Sequence, residues 1–199
     1  LLFASGYQAN LGLLTALIGR SDRVLSDAQN HASLIDGLRL SGCRRVIVPH
    51  LDVGAFERAL ATAQTESAEG AESAEGGPGR TFLVTESLFS MDGDLAPLDR
   101  YAALAGRYGA DLIVDDAHAT GVYGAVRGSG LCEVWGVERR AAAIVSTLGK
   151  ALGVAGAFVA GPQVLIDYLV NRCRPFIFST AVSPLLLHAT ACALDRVEA

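Results

Sequence analysis

The chain has 199 residues, of which 51% are hydrophobic and 19% are charged, and its formal net charge is -5. This is enough apolar material for one domain with a sizeable core, so the composition excludes an intrinsically disordered protein. The only adjacent basic residues are Arg44-Arg45 and Arg139-Arg140, which argues against nucleic acid as a partner and favours small molecules.

The first third of the sequence alternates between helical and strand-like patterns. Apolar periodicity and β-branched runs distinguish three helices from two strands. The predicted helices cover residues 9–18, 31–40 and 53–64, and the predicted strands cover 23–26 and 45–48. Ser5 and Asp52 are positioned to cap two of these helices, and Gly42 follows the other, where glycine favours a helix end.

Residues 65–80 differ in composition from the rest of the chain. They contain two copies of the sequence Glu-Ser-Ala-Glu-Gly, at 66–70 and 72–76, followed by Gly77-Pro78-Gly79. A segment of this kind cannot contribute to a core. We therefore expect residues 65–80 to form a flexible acidic surface loop without chemistry.

Strands and helices alternate again from residue 81 to the end. The predicted strands cover 81–85, 111–114, 143–147, 157–160 and 175–178, and the predicted helices cover 98–108, 164–171 and a segment starting at 184. Strands that are apolar on both faces and separated by helices are typical of a sheet buried on both sides. The sequence therefore predicts an α/β fold with a mostly parallel, seven-stranded-type sheet and helices on both faces.

The spacing of the cysteines and the length of the apolar runs indicate the cellular compartment. The four cysteines lie far apart and include no C-x-x-C pair, which argues against a zinc site or a dense disulfide framework. No apolar run approaches the roughly 20 residues of a membrane helix, and no secretory leader pattern is recognisable. We expect free thiols and a cytoplasmic protein without membrane contact.

Lys150 follows an apolar strand within a glycine-rich turn, next to Gly149 and near Gly153. A lysine in such a place can have a lowered pKa and bind an aldehyde cofactor covalently. A solvated turn lysine is the simpler alternative. A nucleotide phosphate loop is excluded, because that motif requires glycine and a hydroxyl residue where the chain has Ile144 and Ala151.

The segment Asp115-Asp116-Ala117-His118 follows another apolar strand. An ionised aspartate at a strand end needs a cationic partner, which a protonated pyridine nitrogen would supply. Two alternatives remain open: a simple strand-end cap, and a metal site formed by Asp115, Asp116 and His118. Gly128-Ser129-Gly130 lacks the third glycine of a dinucleotide fingerprint, so a nicotinamide cofactor is disfavoured.

Other candidate binding groups follow strands or precede helices. Gly6 and Tyr7 offer backbone N–H groups to a phosphate at a helix start, and Thr147 offers a hydroxyl just before the lysine. His31 begins a helix, where its ring could stack on a planar cofactor. Ser90 follows a strand and could reach the same crevice, although an ordinary turn would explain it equally well.

The same segments, in this order, resemble the α-oxoamine synthase family of pyridoxal-phosphate enzymes, which have the aspartate-aminotransferase-like fold. The resemblance covers nearly the whole chain and is carried by the segments Ser5 to Asn10, Asn30 to Leu34, Phe89 to Asp94, Val114 to His118, Thr147 to Lys150 and Arg174 to Thr180. Only residues 65–80 stand apart from it. The resemblance implies that residues 1–199 are the central part of a cofactor-binding large domain, without the N-terminal segment and C-terminal small domain of family members.

The resemblance also implies a role for each candidate residue. Lys150 would bind pyridoxal 5'-phosphate covalently and move the substrate Cα proton, Asp115 would pair with the pyridine nitrogen, and His31 would stack on the ring. Lys150 and His31 would be the catalytic residues.

The remaining cofactor contacts would come from turns and a helix start. His118 and Ser90 would contact the ring and its phenolic oxygen, and Gly6, Tyr7 and Thr147 would lie near the phosphate. No metal ion is implied.

Members of this family condense an amino acid with an acyl thioester and release carbon dioxide and the free thiol carrier. Within the family, the segment from Ser90 to Leu98 and the segment from Arg174 to Phe178 most resemble enzymes that join L-alanine to a pimeloyl thioester, carried by CoA or by a carrier protein, in biotin synthesis. Glycine-using 2-amino-3-ketobutyrate CoA ligases are equally similar from Asn30 to Gly37. Relatives are homodimers, so a second copy is the expected protein partner.

Two other classes of function remain open from the residues themselves. A metal-dependent hydrolase would use Asp115, Asp116 and His118. A non-catalytic binding module would use the acidic segment to recruit a partner and retain the cofactor site as a relict.

Overall fold

A computed structural model of the protein describes residues 1–68, 79–124 and 126–197. One seven-stranded sheet runs through the molecule in the order β1-β7-β6-β5-β4-β2-β3. Its strands are β1 (Leu2–Phe3), β2 (Arg23–Asp27), β3 (Arg44–Val48), β4 (Thr81–Glu86), β5 (Asp111–Asp115), β6 (Ala143–Thr147) and β7 (Ala157–Ala160). Neighbouring strands from β3 across to β6 pair in parallel, whereas β7 is antiparallel to both β6 and β1. The predicted mostly parallel α/β sheet is confirmed.

In the described residues, eight helices connect or flank these strands. They are α1 (Gly6–Leu17), α2 (Ala32–Ser41), α3 (Val53–Ala68), α4 (Leu98–Tyr108), α5 (Leu131–Val134), α6 (Gln163–Arg172), α7 (Arg174–Ile177) and α8 (Pro184–Val197). No helix within the described ranges is long and apolar enough to cross a membrane.

Each central strand contributes to two hydrophobic cores, because successive side chains point to opposite faces of the sheet. On one face, Val24 and Ile113 pack with Leu13 of α1 and Leu34 of α2. On the other face, the neighbouring strand residues pack with α3 and α4, among them Leu25, Leu112, Phe56 and Tyr101. Helices therefore cover both faces, as the apolar strand sequences predicted.

The predicted helix caps are confirmed. Ser5 Oγ accepts a hydrogen bond from Gln8 N at 3.2 Å, and Asp52 Oδ1 accepts one from Ala55 N at 2.8 Å. Gly42 and Gly109 end α2 and α4 in the left-handed conformation, with φ of 74° and 65°. Local sequence chemistry thus accounts for where these elements start and stop.

The predicted strand over 175–178 is wrong. Residues 175–177 lie in the short helix α7, and Phe178 is its C-cap, whose N–H donates to Arg174 O at 3.0 Å. Pro175 sits in the first turn, where its fixed φ suits a helix, and Phe176 packs edge-on against Phe3. The seventh strand is instead β1, a two-residue segment that pairs with β7 and carries no periodic signal of its own.

The predicted loop over 65–80 is also wrong at its start, because α3 continues to Ala68. Glu66 lies on this last turn and forms ion pairs with Arg23 of β2 and Arg44 of β3, the latter at 2.8 Å. The ion pairs with two arginines from neighbouring strands thus stabilise a helical turn in a segment whose local composition favours a loop. Residues 69–78 of that prediction lie outside the described part of the chain.

Asp116 anchors the turn that follows β5. Its fully buried carboxylate accepts hydrogen bonds from Ser87 Oγ, from Leu131 N at 3.2 Å and from Cys132 N at 3.3 Å. Gly130 completes this contact, since a Cβ at that position would lie 2.1 Å from Asp116 Oδ2. The carboxylate therefore joins the ends of β4 and β5 to the start of α5.

We predict that Asp116→Ala lowers the free energy of unfolding by about 3 kcal/mol, because it leaves several buried donors without an acceptor. Asp116→Asn retains one acceptor oxygen and should cost clearly less. Urea unfolding monitored by circular dichroism measures both variants. Equal losses for the two variants would show that the hydrogen bonds do not carry the effect.

Leu51 is the one non-glycine residue with positive φ in the described ranges, at 54°. A β-branched residue is strongly disfavoured in this conformation, whereas asparagine tolerates it. We predict that Leu51→Val destabilises the protein by about 2 kcal/mol, and by more than Leu51→Asn, although asparagine removes more apolar surface. Thermal unfolding of both variants checks the order, and the reverse order would assign the effect to packing.

Candidate active site

A cavity of about 190 Å³ lies beyond the carboxyl ends of β4, β5 and β6. It is lined by Gly6, Tyr7, Asn10, His31, Ser33, Glu86, Asp115, Ala117, His118, Thr147 and Lys150. Seven of the eight residues expected from the sequence are in this set. Ser90 is not: it lies on the exposed turn that follows β4.

Asp115 is the last residue of β5 and is buried at the base of the cavity. Its Oδ2 accepts a hydrogen bond from Asn10 Nδ2 at 2.6 Å, and its Oδ1 accepts one from Ala117 N at 3.0 Å. Each carboxylate oxygen therefore has a hydrogen-bond donor. The carboxylate is thereby held in one orientation at the end of its strand.

Lys150 and His118 are in contact in the cavity wall. Lys150 Nζ lies 2.6 Å from His118 Nε2. Burial lowers the pKa of Lys150, while the negative charges of Asp115 and Glu86 oppose this shift. Burial, followed by the positive charge of Lys150, lowers the pKa of His118. Both shifts favour an unprotonated amine beside a neutral imidazole, and a neutral amine is the nucleophilic form of lysine.

His31 is held by a chain of hydrogen bonds that ends at Asp115. Its Nδ1 accepts from Ser33 N at 3.2 Å and lies 2.8 Å from Ser33 Oγ. Asn10 Nδ2 donates both to Ser33 Oγ at 2.9 Å and to Asp115 Oδ2. Because a backbone N–H can only donate, Nδ1 is an acceptor and the ring proton is assigned to Nε2. These hydrogen bonds connect α1, α2 and β5 around one side of the cavity.

Glu86 ends β4 next to Asp115, its partner in the strand register. Its Oε1 accepts a hydrogen bond from His31 N at 2.6 Å. Burial, together with the negative charge of Asp115, raises the pKa of Glu86 to about 7, although the hydrogen bond from His31 N opposes the shift. Two carboxyl groups in different environments therefore share this cavity.

The start of α1 forms another side of the cavity. Ser5 Oγ accepts the hydrogen bond of Gln8 N. The N–H groups of Gly6 and Tyr7 have no acceptor within the helix and lie at the positive end of the helix dipole. Thr147 Oγ1 donates to Gly156 O at 3.0 Å and accepts from Gly149 N at 3.2 Å, which orders the turn that carries Lys150. A helix N-terminus facing the lysine turn can bind an anionic group.

Three polar residues of the cavity wall were not among the sequence candidates: Asn10, Ser33 and Glu86. Asn10 and Ser33 lie within segments that carried the family resemblance, but neither residue type alone indicates a site. Glu86 could have been found from its position, because it ends the strand next to the one that ends in Asp115. In the described ranges, Asn10 Oδ1 is a buried acceptor without a hydrogen-bond partner.

Asp115, Asp116 and His118 do not form the metal site that the sequence left open. The Asp116 carboxylate is engaged by Ser87 and the start of α5, as described above, and is absent from the cavity lining. Within residues 1–68, 79–124 and 126–197, no group of three potential metal ligands is present.

Comparison with known proteins identifies relatives along the whole chain. It is 48% identical over 198 residues to an 8-amino-7-oxononanoate synthase of Geobacter sulfurreducens, and 46% identical over 198 residues to one of Bordetella petrii. These alignments cover 100% of the chain but 47% and 46% of the relatives. The chain thus spans about half the length of the curated relatives that it matches.

Solved structures of related enzymes have the same fold as this chain. Serine palmitoyltransferase of Sphingomonas wittichii matches with a TM-score of 0.87 and 31% identity, covering 100% of this chain and 46% of that one. The 8-amino-7-oxononanoate synthase of Francisella tularensis matches with a TM-score of 0.81 and 29% identity, covering 100% and 53%.

The predicted fold class and the resemblance to α-oxoamine synthases are therefore confirmed. The family described as aminotransferase class I and II matches residues 1–198. The chain belongs to the aminotransferase class I and II family, within which it is similar to pyridoxal-phosphate-dependent α-oxoamine synthases.

Proposed function

We propose that this protein is a pyridoxal-phosphate-dependent acyltransferase that condenses an amino acid with an acyl thioester and releases carbon dioxide. The observation that carries the proposal is the single cavity that contains Lys150, Asp115, His31 and His118. L-Alanine and a pimeloyl thioester are the proposed substrates, and 8-amino-7-oxononanoate is the proposed product. The names of the relatives at 46–48% identity support this choice.

The cavity residues suit pyridoxal 5'-phosphate chemically. Lys150 offers an amine for its aldehyde, Asp115 offers an oriented carboxylate for a protonated ring nitrogen, and the start of α1 offers N–H groups for its phosphate. When bound, the cofactor supplies an electron-withdrawing ring that stabilises negative charge on the substrate carbon. The unpartnered Asn10 Oδ1 in the wall is consistent with a site built for a polar ligand.

Each cavity residue has a defined task in this proposal. Lys150 Nζ anchors the cofactor and then carries the proton of the substrate Cα, for which its lowered pKa is suited. His118 Nε2, at 2.6 Å from that amine, can hold it in place by a hydrogen bond. Asp115 would pair with the ring nitrogen, and the hydrogen bonds from Ala117 N and Asn10 Nδ2 keep its carboxylate oriented.

His31 and the remaining predicted contacts complete the site. The hydrogen bond from Ser33 N to Nδ1 fixes the His31 imidazole, so that its face can stack on a planar ring and exclude water. We propose phosphate contacts for Gly6, Tyr7 and Thr147. A contact from Ser90 would require its turn to approach the cavity.

Partners and compartment are part of the same proposal. We propose a homodimer in the cytoplasm, with an amino acid and an acyl thioester as ligands and neither nucleic acid nor a membrane as a partner. Glycine is the alternative amino acid, because the segment from Asn30 to Gly37 is equally similar to 2-amino-3-ketobutyrate CoA ligases. Serine is a further alternative, because a serine palmitoyltransferase has a similar structure.

Lys150 is the only lysine in the sequence. We predict that the purified protein loaded with pyridoxal 5'-phosphate shows a visible absorbance band that Lys150→Ala abolishes. Borohydride reduction followed by peptide mass spectrometry should place the cofactor on Lys150. Arg139→Ala, at an exposed cation outside this cavity, should leave both results unchanged. A wild-type protein that stays colourless after incubation with cofactor would refute the proposal.

The substrate assignment is tested by measuring thiol release with alanine, glycine or serine against a panel of acyl thioesters. We predict the highest kcat/KM for alanine with a pimeloyl thioester, with CoA and carrier-protein forms compared directly. A preference for glycine would instead assign the protein to the 2-amino-3-ketobutyrate CoA ligase type, and a preference for serine to the serine palmitoyltransferase type.

A further inference from the structure

We propose that Glu86 is a positioning residue of this site: its side chain holds His31 and its backbone holds the preceding Asn30 against the end of β4, which fixes the imidazole at the cavity. This inference rests on the proposed function and adds a residue that neither the family resemblance nor the sequence motifs assigned. Glu86 lines the cavity and is 3% exposed.

The contact between β4 and the Asn30-His31 segment is reciprocal. Glu86 Oε1 accepts from His31 N at 2.6 Å, and Glu86 N donates to Asn30 Oδ1 at 3.1 Å. Asn30 Nδ2 in turn donates to Val84 O at 2.8 Å and to Ser26 Oγ at 2.9 Å. The segment that carries His31 is therefore fastened to both β2 and β4 by buried hydrogen bonds.

His31 needs this second attachment because of its place in the helix. It is the N-cap of α2, so its own backbone N–H has no intrahelical acceptor. Ser33 fixes the ring end of the residue and Glu86 fixes the backbone end. With both ends held, the exposed imidazole keeps one orientation instead of rotating into solvent.

The charges around Glu86 explain why glutamate can serve here in a neutral form. Asp115 on β5 and Asp27 at the end of β2 disfavour its ionisation, whereas Lys150 after β6 and the His31 N–H favour it. Burial outweighs the favourable contacts, and a planar ring in the cavity would remove further water from the carboxyl group. A neutral amide of the same shape should therefore hold His31 as well as the acid does.

The matched variants are Glu86→Gln, which keeps an acceptor oxygen, and Glu86→Ala, which removes it. In the protein loaded with pyridoxal 5'-phosphate, we expect Glu86→Gln to bind the cofactor within about threefold of wild type, and Glu86→Ala to bind it about tenfold more weakly. Glu86→Ala should also reduce the visible circular dichroism of the bound cofactor, which reports its orientation. Glu57→Ala, on the exposed side of α3, controls for loss of a glutamate.

A second measurement uses the protein without cofactor. A carboxyl group whose pKa rises from 4.5 unfolded to about 7 folded binds its proton more tightly in the native state. Stability from this group is full below pH 4.5 and is lost as the pH rises to about 7. Glu86→Gln should therefore unfold at a higher temperature than wild type at pH 8, with a smaller difference at pH 5.

The outcomes separate this inference from the proposed function. If wild type binds no pyridoxal 5'-phosphate, the proposed function fails, and this inference fails with it. If wild type binds and Glu86→Ala retains both affinity and the dichroic signal, only the inference is overturned. If Glu86→Ala does not fold, Glu86→Gln decides: near-normal affinity supports the positioning role, and a tenfold loss overturns it.

Discussion

The aligned ends of three parallel strands are the constraint on which the site depends. Glu86 of β4 lies in register with Asp115 of β5, which in turn is in register with Val145 of β6. Because parallel strands deliver their carboxyl ends to one edge, the next residues of β6 bring Thr147, and then Lys150, to the same cavity. A shift of one residue in either pairing would turn one of these side chains to the opposite face of the sheet.

The polar wall of the cavity is tolerated because its members hydrogen-bond to one another, with Asn10 Oδ1 as the exception. Asn10, Ser33, His31, Glu86 and Asp115 form a connected set of hydrogen bonds across α1, α2, β4 and β5. Polar groups buried in this way are costly when unpaired, so the network stabilises the fold only as a whole. The two hydrophobic cores on either side of the sheet supply the rigid support that holds the network in place.

The chemistry of the site follows from contrasts between neighbouring groups. Asp115 has hydrogen-bond donors on both oxygens, whereas Glu86 has one donor and is more deeply buried. The two adjacent carboxyl groups therefore have different surroundings. Lys150 and His118 are both shifted toward their neutral forms by burial. A cavity with one oriented carboxylate, one reactive amine and a helix N-terminus is suited to a charged aromatic aldehyde such as the proposed cofactor.

Local sequence patterns determined the α/β class, most strands and helices, the caps at Ser5, Asp52 and Gly42, and the placement of the main candidates at strand ends. These features depend on contacts within a few residues, where periodicity and backbone preference decide. Tertiary structure alone decided the rest. It formed β1 by pairing with β7, extended α3 through the ion pairs of Glu66, folded 174–177 as a helix against Phe3, and turned Asp116 toward α5. It also left Ser90 on an exposed turn and placed Asn10, Ser33 and Glu86 around the cavity, because those positions depend on contacts between segments far apart in the chain.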